Sequence, residues 1–147
     1  MPNLFYLAIA ALSGAAMAFQ GTLNTALGKI VGIWESTLIV HVIGTITSLL
    51  IILILGVGLG GFGKMGSAPW YAYLGGLLNV VIIYAVVRSM PQIGVGNATT
   101  AIIVAQLITA FIIDCTGAFG MKKIPFQYID LLGIALLAVG ARILFME

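Results

Sequence analysis

Few side chains in this 147-residue sequence can do chemistry: one cysteine, one histidine, four carboxylates and six basic residues. Cys115 has no second cysteine with which to form a disulfide or a multi-cysteine metal site, and His41 has no companion at ligand spacing, so no metal is expected. His41 and Cys115 fall in different apolar segments, and no nucleophile and base stand at usable spacing. The sequence therefore does not read as an enzyme, and it implies no cofactor. What remains is neutral hydrogen bonding. Gln20, Asn24, Asn79 and Gln106 are amides inside long apolar runs, where such a group needs a partner in protein, solute or water. Gln20, Asn79 and Gln106 fall near the middle of their runs, with Asn24 one turn beyond Gln20. These amides are the best candidates for contacting a small-molecule substrate.

The carboxylates are less informative. Glu35 reads as a loop residue, Asp130 as a first-turn acid complementing a helix dipole, and Glu147 as terminal. Asp114 alone lies well inside an apolar run, and an intramembrane acid is a candidate for ion coupling. The alternative is an interfacial acid neutralised by Lys122, Lys123 or Arg142. His41, Thr45 and Ser48 recur at spacings of four and three on one helix face. His41 lies only about a turn inside its run, which reads as a structural or interfacial histidine and not as a proton carrier.

The elements that must position these groups follow from composition. Hydrophobic residues make up 62% of the chain and charged residues 7%, against about 25% charged in a globular protein, so this is a membrane protein. A net charge of +2, thinly spread, offers no nucleic-acid surface. Apolar runs at 4–28, 37–58, 70–87, 94–117 and 126–146 are each read as long enough to cross a core of roughly 30 Å. Lipid gives the backbone no partners, so runs of this length must be helices, and the expectation is an all-α single domain over 1–147 with five transmembrane spans. Ala16-Met17-Ala18 resembles a signal-cleavage site, yet no Lys or Arg precedes it, and the run is kept as the first helix. The glycine-rich stretch from Gly56 to Gly66 is not a phosphate loop, because Met65 follows Lys64 where Ser or Thr would be needed, and it reads as a flexible tether. Trp34, Trp70, Tyr71 and Tyr73 lie at span boundaries as an aromatic belt.

On five spans, Lys64, Lys122 and Lys123 share one side and Lys29, Arg88 and Arg142 the other. The positive-inside bias is zero, which suggests insertion in both orientations. Many transporters pair two inverted halves about a midplane site. An odd number of spans inserted both ways would make that pair as an antiparallel homodimer, or with an oppositely oriented paralogue. Small residues offer the packing surfaces. Gly14, Ala18, Gly21, Thr25 and Gly28 line the first helix, Gly94, Ala98, Ala101 and Ala105 the fourth, and Gly133 and Gly140 one face of the fifth.

The pattern Gln20-x-x-x-Asn24-x-x-x-Gly28, Gly44-Thr45, Ala68-Pro69-Trp70 leading to Gly75-Gly76, Pro91-x-x-Gly94, then Gln106, Ile113-Asp114 and Gly117 resembles the small five-helix YdcZ family of the drug/metabolite transporter superfamily. The resemblance covers essentially the whole chain. It implies a multi-pass inner-membrane, half-size transporter related to the four-helix small multidrug resistance proteins and the ten-helix metabolite transporters. Ala105 stands where the family usually has Gly. Cys115 stands where a His commonly follows the Asp, so no role for an Asp-His pair carries over. The first-helix Glu with which the small multidrug resistance proteins exchange protons is also absent, since only neutral Gln20 and Asn24 are there.

The expected function is transport of a small polar or amphipathic metabolite by alternating access. Gln20, Asn24, Asn79 and Gln106 would contact substrate, and Gly14, Ala18, Gly21, Gly133 and Gly140 would serve helix packing or dimerisation. The competing reading is a non-transporting membrane interaction protein whose amides are glue between helices.

Overall fold

The computed structural model describes residues 3–56 and 58–144. The expected helix end at Met146, and Glu147, lie outside the described residues. All regular structure among the described residues is helical: α1 (Leu4–Val31), α2 (Ile33–Ile54), α3 (Leu74–Ile93), α4 (Val95–Thr116) and α5 (Tyr128–Leu144), with 3-10 turns at Gly60–Ser67, Trp70–Tyr73 and Ala118–Gly120. Together with the four helices α1 to α4, which are long and apolar enough to cross a membrane, this is an all-α membrane protein. The 17 described residues of α5 extend about 25 Å at 1.5 Å per residue.

Two compact units divide after Gln92, the first holding α1 to α3 and the second α4 and α5. In the first unit, Asn3 caps α1 by accepting a hydrogen bond from the Phe5 amide at 3.1 Å. The separator expected from Lys29 to Ser36 shrinks to one residue. Gly32, at φ +102°, ends α1 and starts α2. That dihedral suits glycine, because an added Cβ would be strained in this region. Glu35 therefore stands in the first turn of α2 and not in a loop, where its charge complements the helix dipole as Lys29 does at the end of α1. Ser36 and Thr37 donate back to the Ile33 carbonyl at 2.9 and 2.8 Å, so polar residues that looked like loop material are satisfied inside the helix.

The segment Arg88 to Ile93 is likewise helix and not separator, with Pro91 inside α3. Proline removes one backbone donor, but Met90 is only 4% exposed and packs over Gly21, which holds this last turn against α1. Within the glycine-rich stretch read as a tether, Gly60–Ser67 forms 3-10 turns, and Tyr73 donates its hydroxyl to the Met65 carbonyl at 2.6 Å. Trp34 of α2 stacks on Tyr84 of α3 with ring centroids 4.8 Å apart.

In the second unit α4 begins after Gly94 (φ +81°) and ends at Gly117, where the left-handed residue donates to the Ile113 carbonyl at 2.8 Å. The chain then folds back, and the Ile124 amide caps the Asp114 carbonyl at 2.9 Å. Phe111 of α4 meets Phe126 edge to face at 5.7 Å. Asp130 lies in the first turn of α5, and its carboxylate accepts from the Gln127 amide at 3.1 Å, half of a capping box.

Candidate functional site

The first unit contains an open-sided cavity of about 570 Å³, most of whose lining residues are exposed. One stripe of α2 supplies most of its wall through Val40, His41, Gly44, Thr45, Ser48, Leu49 and Ile52, two adjoining rows of positions four apart that share a helix face. Gln20 of α1, Asn79 and Ile83 of α3, and Phe62 of the glycine-rich turns complete it. Polar groups thus share the chamber with aliphatic and aromatic walls, the composition typical of a small-molecule site.

The hydrogen bonds define what each polar group can offer. Thr45 donates its hydroxyl to the His41 carbonyl at 2.9 Å, and Ser48 donates to the Gly44 carbonyl at 2.8 Å. Both hydroxyl hydrogens are thereby committed to α2 itself, and each oxygen keeps lone pairs as acceptors. His41 Nδ1 lies 2.7 Å from the Thr37 carbonyl. A carbonyl only accepts, so Nδ1 carries the hydrogen. Asn79 Nδ2 lies 3.0 Å from His41 Nε2 and donates to its lone pair, which describes a neutral imidazole with both nitrogens satisfied. Gln20 makes no hydrogen bond among the described residues. Among the described residues no Asp, Glu, Lys or Arg lines the chamber.

The structure brings together two of the amides singled out in the sequence, Gln20 and Asn79. Asn24 is 7% exposed and is not part of the cavity wall. It shares the lower half of α1 with Gly21, Thr25 and Gly28, where close packing replaces an open chamber. A Cβ on Gly21 would meet the Met90 side chain and one on Gly28 would meet Val87 and Ser36, whereas Gly14, Gly133 and Gly140 face open space. Ala18 is half-buried. Gln106 and Asp114 belong to the second unit, where both are exposed. Asp114 forms no ion pair among the described residues. Among the described residues no group of three or more His, Cys, Asp or Glu gathers at metal-binding distance.

Sequence reasoning set His41 aside as structural or interfacial, and it gave Phe62 no role. His41, Thr45 and Ser48 did show as one face by their spacing, but the 3.6-residue period does not say what that face meets. Phe62 gave no signal, since nothing in a glycine-rich stretch marks it as part of a wall.

The model of the family described as "Putative inner membrane exporter, YdcZ" matches residues 5–143. Comparison with curated proteins and with solved structures finds no match. The family match covers nearly the whole chain and agrees with its four apolar spanning helices, so the chain belongs to the YdcZ family and is a multi-pass protein of the inner membrane.

Proposed function

We propose that this protein exports a small polar or amphipathic molecule by alternating access, with the cavity of the first unit as the substrate site. The observation that carries this reading is Gln20, an exposed amide with no hydrogen-bond partner among the described residues, set in the wall of an otherwise largely apolar chamber. A bare amide in hydrocarbon is costly, and a solute bound beside it removes that cost. Asn79 lies on the opposite helix with hydrogen-bonding capacity to spare beyond its bond to His41.

In this reading α5 is a fifth span and the working unit is an antiparallel dimer. Three basic residues on each side of a five-span chain support insertion in both orientations, and the uncovered glycines Gly14, Gly133 and Gly140 leave helix faces on which a second copy can pack closely. The test is efflux from proteoliposomes loaded with a metabolite mixture, comparing wild type with Gln20→Ala. The variant is expected to retain its oligomeric state and to lose flux of the transported component. Unaltered flux in Gln20→Ala would remove this cavity from the transport path.

A further inference from the structure

We infer that His41 and Asn79 form a proton-binding pair whose two states show opposite hydrogen-bonding faces to the cavity, so that a proton and a hydrogen-bond-donating solute compete for it. This rests on the cavity being the solute site. In the state described, the Thr37 carbonyl fixes the hydrogen on Nδ1 at 2.7 Å and Nε2 accepts from Asn79 at 3.0 Å. The Asn79 carbonyl oxygen is then a spare acceptor. Thr45 and Ser48 add lone pairs but no hydrogens, because theirs are spent on α2 carbonyls. A chamber with these groups suits a solute that donates, such as an alcohol or an amine.

Adding a proton at Nε2 makes both ring nitrogens donors. The amide group of Asn79 then faces a donor with a donor, and the contact survives only if the amide turns and Oδ1 accepts. That turn consumes the spare acceptor and leaves the two amide hydrogens in its place, while the ring gains a positive charge in a chamber that holds no anion. Both changes act against a donating solute, and the charge acts most strongly against a cationic one. The other elements that line the cavity contribute no titratable group: Gln20 comes from α1, Asn79 and Ile83 from α3, and Phe62 from the glycine-rich turns, with Asn79 in hydrogen-bond contact with the ring. Of the other charged and titratable residues described in this unit, Tyr6, Lys29, Glu35, Lys64, Tyr71, Tyr73, Tyr84 and Arg88 all lie outside the cavity wall. Among the described residues, His41 is thus the only proton site of the cavity wall.

The chain has one histidine, so nitrogen-15 labelling of histidine in the full-length protein in nanodiscs gives the imidazole signals of His41 alone. At alkaline pH the expected spectrum is the tautomer with hydrogen on Nδ1, and Asn79→Leu should shift the population toward hydrogen on Nε2. A dominant Nε2-protonated tautomer in the wild type overturns the proposal. The second measurement is binding of 1,2-hexanediol, a neutral donating probe, by the same labelled protein. Its affinity should fall about tenfold on acidification, the equivalent of one hydrogen bond, and should become independent of pH in His41→Gln. Affinity that is unchanged or higher in acid overturns the competition. Neither measurement requires transport, so absent flux with the expected tautomer and probe binding would count against the export reading alone.

Discussion

Thr25 on α1 donates its hydroxyl to the sulfur of Met90 in the last turn of α3, at 3.6 Å. The contact marks where the small-residue stripe of α1 is used inside the unit. From Gly21 to Gly28 the stripe is filled by α3 and the start of α2, while Gly14 at the other end meets nothing within 4 Å. One helix therefore carries a packed half and an open half.

This division predicts opposite results for the same substitution. In Gly28→Ala the new methyl would lie 2.5 Å from a Val87 methyl carbon and 3.2 Å from the Ser36 hydroxyl. Overpacking of this kind costs about 1–3 kcal/mol, and thermal unfolding in detergent should show the loss. Gly14→Ala should leave the stability of the monomer within about 0.5 kcal/mol. Equal effects at the two positions would contradict the packing described.

Thr45→Val and Ser48→Ala test the acceptor face of α2. Each removes a hydrogen-bond acceptor for the solute together with a bond that α2 makes only to itself, so folding should be little changed. Solute affinity should fall about threefold to tenfold in each, for a net hydrogen bond of about 1 kcal/mol. The measurement is the concentration dependence of flux in proteoliposomes, and wild-type behaviour in both variants would take this face out of the site.

Asp114→Asn separates the two acidic-or-basic sites available for ion coupling. The carboxylate is exposed and makes no ion pair among the described residues, so its neutralisation should shift stability by no more than about 0.5 kcal/mol. The pH dependence of flux should match the wild type, because the proton site lies at His41. A flattened pH profile in Asp114→Asn would transfer that role to α4.

Dual insertion is open to direct measurement. With Cys115 replaced by Ser, a single cysteine at Lys64 should react with a membrane-impermeant reagent from both sides of the membrane in comparable amounts. Labelling from one side only would rule out the antiparallel homodimer.

The sequence by itself determined the class of protein, the helical character of its spans and the family, because lipid allows a long apolar run essentially one solution for its backbone hydrogen bonds. It also put His41, Thr45 and Ser48 on one helix face, since that follows from the helical period alone. Helix ends were misjudged where polar residues are satisfied by helix caps and back-bonds, as at Glu35 and Ser36, or where packing retains a turn despite proline, as at Met90. Only the tertiary structure decided that Asn24 is packed away while Gln20 borders a chamber one turn earlier, and that Asn79 meets His41. Those outcomes depend on the angle and separation between helices, which arise from side-chain packing over the whole interface. Spacing along one chain does not encode them.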